Sequence, residues 1–128
     1  MSDAAGQGLF VCASAALLDG GTGVRFPVSA FGQAATGFAV RYGGKVYAYL
    51  NRCAHAPVEL DWFKGEFFES SKLHLMCSTH GAIYVPDTGA CAGGPCRGGK
   101  LRPIAVSEVG DNIYWQPDQH IRPLAAQD

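Results

Sequence analysis

Short apolar runs separated by glycine-rich turns make up most of the chain, and no apolar repeat at helical spacing extends beyond about two turns. The runs at 38–42 and 45–50 are joined by Gly43-Gly44, a two-residue connection that suits the positive φ angles of a tight hairpin. This pattern predicts an all-β protein in which helix is scarce.

Further strands follow from the same pattern. Residues 104–109 and 113–115 flank a turn at 110–112 and predict a second hairpin, and the turn at 19–23 precedes a strand near 25–28. Strand and turn signals therefore recur along most of the chain.

Between these basal strands, residues 51–103 are predicted to form an insert with short strands of its own at 73–76 and 82–85. The first ten residues and the segment after Gln116 lack periodicity, and loosely held tails are expected there.

Length and composition indicate one domain spanning 1–128, with an ordered core at about 10–115. The 128 residues, of which 48% are hydrophobic, are enough for one modest core. A net charge of −1 favours neither nucleic acid nor an anionic membrane as a partner. The start of the chain lacks a basic region followed by an apolar run, and no stretch has the length of a membrane span, so a cytoplasmic location is expected.

Two short runs carry the chemistry: Cys53-Ala54-His55 and Cys77-Ser78-Thr79-His80, with twenty-one residues between them. A cysteine and a histidine this close together can reach the two irons of one small cluster, whereas a Cys-x-x-Cys pair usually places both sulfurs on one metal. A zinc site made from the same four residues is the alternative.

The motif continues after His80 with Gly81 and, further on, Gly94-Pro95. From about 10 to 115 the chain resembles the Rieske family. The resemblance implies an all-β Rieske iron-sulfur fold, in which a basal antiparallel sheet sandwich or partial barrel carries a smaller cluster-binding subdomain. It also implies a [2Fe-2S] cluster with the following ligands and neighbours: Cys53 and Cys77 on one iron, His55 and His80 on the other, and Gly81, Tyr84, Gly94 and Pro95 around them.

Family members of high potential have a serine and a tyrosine that donate hydroxyl groups to the cluster sulfurs. The matching positions here are Ala82 and Tyr84, so the serine hydroxyl is missing. Because one donor that stabilises the reduced cluster is lost, a potential toward the lower end of the Rieske range of about −150 to +300 mV is predicted. Tyr84 also has the simpler interpretation of an inward-facing strand aromatic.

The resemblance implies a soluble ferredoxin that accepts one electron from a flavin-dependent reductase and passes it to an oxygenase or another acceptor. The oxygenases of this family need a separate iron site, for which the chain leaves only His74 and His120 as further histidines. The protein is therefore predicted not to be an enzyme and to bind no small-molecule substrate of its own. A small subunit of a larger oxidoreductase and a redox sensor are the alternatives.

Three cysteines are not among the predicted cluster ligands. Cys91 and Cys96 flank a glycine-rich turn in the loop expected to cover the cluster, where they either form a disulfide or are two tolerated small side chains. Respiratory relatives brace their ligand loops with a disulfide at positions that here are Val58 and Thr79, and this absence agrees with a reducing compartment. Cys12 is expected to be a small buried residue on an edge strand.

The segment 59–69 mixes four aromatic with four acidic residues. The favoured interpretation gives its aromatics, Trp62, Phe63, Phe67 and Phe68, to a small core and its acids to solvent, and the alternative is a docking surface. Basic residues at Arg97, Lys100 and Arg102 either orient a partner or form a solvated edge. His74 is expected at a strand edge, and His120 in a mobile tail.

Overall fold

A computed structural model of the chain describes residues 8–54, 58–61, 63–79 and 81–124. Over these residues it contains ten β-strands, one 3-10 turn at Ser14–Ala16 and no α-helix, which confirms the predicted all-β fold. Within the same part of the chain, no helix is long and apolar enough to cross a membrane. The strands are β1 Leu9–Ala13, β2 Val24–Ala30, β3 Gln33–Tyr42, β4 Lys45–Leu50, β5 Leu75–Met76, β6 Ile83–Tyr84, β7 Cys91–Gly93, β8 Pro103–Val109, β9 Asn112–Gln116 and β10 Ile121–Arg122.

Seven strands form one antiparallel sheet in the order β1-β9-β8-β4-β3-β2-β10. Phe26 of β2 and Trp115 of β9 pack with their rings 5.5 Å apart, although three strands separate β2 from β9 in the sheet. The sheet therefore curls around a shared core, as the expected partial barrel does. The core contains Cys12, Leu17, Phe26, Val28, Ala30, Ala39, Ala48, Leu50, Ile104, Ile113, Trp115 and Ile121.

Both predicted hairpins are confirmed. Gly43 and Gly44, with φ of +61° and +85°, form the whole connection between β3 and β4. In the second hairpin Val109 lies opposite Asn112, so the turn contains two residues where three were predicted.

A small antiparallel sheet, β5-β6-β7, lies within the predicted insert and has its own core against the outer face of β3 and β4. Because successive side chains of a strand point to opposite faces, Phe38 and Val40 of β3 face this second core, while Ala39 faces the barrel core. Phe38 stacks on Phe67 with ring centroids 3.9 Å apart. The Tyr49 hydroxyl donates to the Pro86 carbonyl over 2.8 Å. These contacts fix the small sheet on the barrel.

The prediction of a loose tail after Gln116 is wrong. Strand β10 pairs with β2, and Ile121 fills the edge of the barrel core at 1% exposure. His120 is also held in place, since its carbonyl accepts from the Phe31 amide over 2.9 Å and its ring stacks on Phe31. A two-residue strand carries too little periodicity for its pairing to be read from sequence.

The segment 59–69 only partly follows its predicted role. Phe67 is buried in the second core, as expected, but Phe63 is 68% exposed and does not belong to that core. Asp61 is buried where a solvated acid was predicted, because its carboxylate accepts hydrogen bonds inside the turn. Trp62 lies outside the described residues.

Candidate metal centre

The two predicted cysteine ligands each begin a short turn closed by a backbone hydrogen bond. The Cys53 amide donates to the Val58 carbonyl over 2.8 Å, and the Cys77 amide donates to the Ala82 carbonyl over 2.8 Å. The two cysteines are 4% and 0% exposed and share the core between the small sheet and the barrel. Each turn therefore directs its cysteine into the interior.

The Tyr84 hydroxyl lies at the Cys53 sulfur. Its oxygen is 3.1 Å from Cys53 Sγ and accepts a hydrogen bond from the Ala54 amide over 3.0 Å. Burial raises the pKa of Tyr84, and the hydrogen bond with Cys53 and the charge effects of Cys53 and Cys77 raise it further. A thiolate only accepts, so with Cys53 ionised the tyrosine is the donor. Tyr84 is thus both an inward-facing strand aromatic and a group positioned to stabilise negative charge on sulfur.

The donor set suits the predicted metal. Two buried sulfurs from separate turns, with a hydroxyl donor between the small sheet and the first turn, match the thiolate-bound iron of a [2Fe-2S] cluster. The predicted histidine ligands, His55 and His80, lie outside the described residues.

Residues 93–99, called the cover loop below, lie against both cysteine turns. Gly94 has φ of +81°, and a Cβ there would meet Ala82 Cα at 2.9 Å. A Cβ at Gly99 would meet Ala54 Cβ at 3.0 Å. A Cβ at Gly94 would collide with backbone, so glycine is required there, whereas a Cβ at Gly99 would need Ala54 to shift by a few tenths of an ångström.

Two more of the predicted cluster neighbours lie at this end of the molecule. Pro95 is exposed in the cover loop, and Gly81 is exposed with φ of +75°. The Gly81 amide donates to the Cys77 carbonyl over 2.9 Å, which closes the second cysteine turn.

A disulfide joins Cys91 to Cys96 across the start of the cover loop, with Cα atoms 5.7 Å apart. Cys91 is half-buried and lies opposite Tyr84 in the pairing of β6 with β7. Cys96 is 3% exposed and shares the core of the two ligand cysteines. Of the two alternatives predicted for Cys91 and Cys96, the structure contains the disulfide.

A buried polar network joins the two segments that flank the first cysteine turn. The Asn51 side chain donates to Asp61 Oδ1 over 2.8 Å and accepts from the Leu60 amide over 2.8 Å. Asp61 Oδ2 accepts from the Gly65 amide over 2.9 Å and lies 3.3 Å from Arg25 Nε. Sequence reasoning missed this network, and the only local signal is an aspartate four residues ahead of a glycine in a turn.

The basic residues named from the sequence separate into two places. Arg97 and Lys100 are exposed in and beside the cover loop. Arg102 instead pairs with Asp118 over 3.1 Å and lies above the Phe31 ring, so it belongs to the region of β10.

Cys12 and His74 lie apart from the cysteine turns. Cys12 is 9% exposed on β1, at one edge of the large sheet, as predicted, and burial raises the pKa of its thiol. His74 Nδ1 lies 3.7 Å from Glu69 Oε2 beside the end of β5.

The chain matches the family model described as Rieske [2Fe-2S] domain over residues 8–109. That match includes both cysteine turns, the cover loop and eight of the ten strands in whole or in part. No curated protein matches the chain.

Solved structures with a similar fold include several ferredoxins. The ferredoxin of carbazole 1,9a-dioxygenase from Nocardioides aromaticivorans IC177 is 27% identical, with a TM-score of 0.66 over 86% of this chain and 97% of its own. A ferredoxin of Sphingomonas yanoikuyae B1 is 19% identical, with a TM-score of 0.66 over 87% and 99%. A complex of reduced oxygenase and oxidized ferredoxin in carbazole 1,9a-dioxygenase gives a TM-score of 0.66 at 24% identity, over 91% and 96%. The last two likenesses concern the fold alone.

Proposed function

Because the chain belongs to the Rieske [2Fe-2S] domain family, we propose that it is a soluble one-electron carrier whose cluster is held by Cys53, His55, Cys77 and His80. The observation that carries this proposal is the pair of buried cysteines beneath the cover loop, one of which, Cys53, contacts the Tyr84 hydroxyl. When bound, a Rieske cluster supplies one-electron redox chemistry at its histidine-ligated iron.

The chain's own residues have separate tasks in this proposal. Cys53 and Cys77 bind the cluster as thiolates from within the second core. The Tyr84 hydroxyl donates a hydrogen bond to the Cys53 sulfur. Gly94 and Pro95 exclude water from one side of the site. No residue is assigned to substrate chemistry, so the protein is proposed to act only through the partners with which it exchanges electrons.

The proposed acceptor is an oxygenase and the proposed donor a flavin-dependent reductase. Support for the acceptor comes from the ferredoxin of carbazole 1,9a-dioxygenase, which is 27% identical over 97% of its length. We place the protein in the cytoplasm, because Val58 and Thr79 stand where respiratory relatives have their disulfide cysteines.

The cofactor part of the proposal is tested by electron paramagnetic resonance of the anaerobically purified protein after dithionite reduction, with iron and sulfide quantified. We expect about two irons per chain and a rhombic signal with an average g of about 1.9, as histidine-ligated clusters show. Cys12→Ser is the control, since Cys12 lies on β1 and not in either cysteine turn, and its spectrum should match that of the native protein. A colourless, silent protein with about one zinc per chain would move the four ligands to a structural site.

The partner part is tested by rapid mixing. Pre-reduced protein is mixed with an oxidised terminal oxygenase of the ring-hydroxylating class, and the cluster absorbance of each protein is followed. We expect reoxidation that depends on oxygenase concentration. No reoxidation by the oxygenase, together with a normal resonance spectrum, would leave the cluster assignment standing and remove the oxygenase as acceptor.

A further inference from the structure

The disulfide between Cys91 and Cys96 has no task in electron transfer, yet it lies at the start of the loop that covers the proposed cluster site. The two cysteines differ in their exposure to solvent. Cys91 is half-buried and lines an open cleft of about 250 Å³, together with Ala92, Gly93, Gly94, Arg97 and Gly98. Cys96 is 3% exposed. Cys91 is therefore the side of the bond more open to attack by a nucleophile from solvent, and Cys96 becomes the leaving group.

The surroundings of Cys96 stabilise the protonated thiol that forms after the bond has broken. Its sulfur lies 3.2 Å from the Gly93 carbonyl oxygen and 3.5 Å from that of Ile83. A disulfide sulfur has no proton to donate to these acceptors, whereas a Cys96 thiol has one. The reduced state therefore gains a hydrogen bond that the oxidised state lacks.

Arg97 supplies the cleft with charge. Its side chain is exposed on the cleft wall, and within the described part of the chain it forms no ion pair. A guanidinium at this position attracts an anion and is suited to binding a carboxylate. The preferred reductant is therefore a thiol that carries a carboxylate group.

We propose that the cleft beside Cys91 is a thiol–disulfide exchange site, at which a carboxylate-bearing thiol reduces the Cys91–Cys96 bond and loosens the cover loop. The thiolate attacks Cys91 Sγ, forming a mixed disulfide and releasing Cys96 as a thiolate that takes a proton from water. A second thiolate attacks the reductant's sulfur in the mixed disulfide and releases Cys91, which is also protonated. The protein disulfide gains two electrons and two protons, and two thiols become one disulfide.

The consequence for the metal centre rests on the proposed function. Gly94 touches Ala82 in the second cysteine turn, and Gly99 touches Ala54 in the first, so the cover loop spans both turns. Breaking the bond removes the cross-link that ties the middle of this loop, at Cys96, to Cys91 of β7, and the loop then opens more often. The reduced protein is expected to lose iron to a chelator faster than the oxidised protein.

The exchange site is tested on the holoprotein with two reductants. Glutathione carries carboxylates, and dithiothreitol does not. After each treatment, free thiols are alkylated and located by peptide mass spectrometry. We expect both reagents to convert Cys91 and Cys96 from bridged to alkylated. Arg97→Gln should slow the glutathione reaction by about fivefold, the factor expected for one charge pair in water at contact distance, without changing the dithiothreitol rate. Arg52→Gln, at an exposed arginine of a different cleft, is the control and should change neither rate.

Three results would overturn the site. The first is a bond that excess glutathione and dithiothreitol both leave intact in the folded protein. The second is a glutathione rate unchanged by Arg97→Gln, which would show that the cleft does not bind the thiol's carboxylate. The third is an equal effect of Arg97→Gln and Arg52→Gln, which would reduce the arginine's role to net charge.

The coupling to the cluster is tested with the Cys91→Ser, Cys96→Ser double variant. We expect iron release to a chelator about tenfold faster than from the native protein, as for an opening made easier by ~1.4 kcal/mol. Native protein treated with dithiothreitol provides the same comparison if the variant does not fold. Equal release rates in all states would remove the coupling. A protein without a cluster would remove the electron-carrier proposal, while the thiol mapping would still report on the exchange site.

Discussion

The Tyr84 hydroxyl connects the small sheet to the first cysteine turn through two contacts, one with the Cys53 sulfur and one with the Ala54 amide. A donor to sulfur stabilises the reduced cluster more than the oxidised one, because the reduced cluster is more negative. Tyr84→Phe should therefore lower the reduction potential by about 50 mV, which corresponds to a difference of ~1 kcal/mol for one electron. A potentiometric titration followed by electron paramagnetic resonance measures this shift.

Tyr49→Phe is the matched control for this substitution. Tyr49 is also a buried tyrosine of the second core, but its hydroxyl donates to the Pro86 carbonyl and not to sulfur. Its loss should reduce stability by ~1 kcal/mol and leave the potential unchanged. Equal potentials for native protein and Tyr84→Phe would show that the hydroxyl does not donate to a cluster ligand.

Substitutions at Gly94 and Gly98 distinguish the cost of a positive φ angle from the cost of close packing. Their φ angles are +81° and +79°, but a Cβ at Gly94 would meet Ala82 Cα at 2.9 Å, and one at Gly98 would meet nothing within 4 Å. Gly98→Ala should cost ~1 kcal/mol from backbone strain alone. Gly94→Ala should cost ~3 kcal/mol and speed the loss of the cluster, since it also pushes the cover loop away from the second cysteine turn.

Thermal loss of cluster absorbance, followed in parallel for the two variants, compares them directly. Similar midpoints would mean that the cover loop moves aside freely, and the close approach at Gly94 would then have no part in holding the site closed.

At the scale of elements, β10 is held by Asp118. The Asp118 carboxylate accepts from the amides of Ile121 and His120, each over 2.8 Å, and pairs with Arg102. The two backbone bonds, more than the arginine and the neighbouring His120, hold the pKa of Asp118 below its usual value. A group whose pKa is lowered in the folded state stabilises the fold above its unfolded pKa, and that stability is lost as the pH falls through its folded pKa.

Asp118→Asn should therefore be less stable than the native protein at neutral pH by up to ~1 kcal/mol, and the difference should shrink as the pH falls below about 4. Denaturant unfolding of both proteins between neutral and acidic pH measures the difference. A difference that is independent of pH would show that the hydrogen-bond geometry at Asp118, and not its charge, holds β10.

The segment around Asp61 shows why element positions were predicted better than their contacts. Hairpin turns are local, so Gly43-Gly44 indicated the β3–β4 connection correctly. Asp61 is buried because Arg25 of β2, which is distant in sequence, and Asn51 beyond β4, which is ten residues away, both approach it. Local polarity gives no sign of such partners, which is why a solvated acid was predicted there.

At the scale of the whole molecule, the two cores are expected to differ in stability, and only the second core is expected to depend on the metal. The barrel core is drawn from seven strands, whereas β5, β6 and β7 have only two or three residues each. Metal ligation supplies folding free energy to such small units. In the iron-free protein we expect amide exchange of residues 75–93 to accelerate by roughly 100-fold and that of β3 and β4 by far less.

Hydrogen exchange of the holoprotein and the iron-free protein, resolved by peptide, tests this division. The competing outcome is a uniform loss of protection. Phe38 and Tyr49 join the barrel to the second core through the Phe67 ring and the Pro86 carbonyl, and a uniform loss would show that these contacts make one cooperative unit.

The sequence by itself determined the class of fold, and its resemblance to the Rieske family indicated the cofactor. Residue type and short spacing in Cys53-Ala54-His55 and in Cys77-Ser78-Thr79-His80 predicted a four-ligand metal site, for which spacing alone left zinc as the alternative. The two main hairpins followed from local glycine turns in the same way.

Tertiary structure alone decided the features that depend on contacts between distant segments. It buried Asp61 under the first cysteine turn, paired β10 with β2 and exposed Phe63. Each of these depends on which surfaces meet when the chain closes, because burial and side-chain partners are set by packing and not by local pattern.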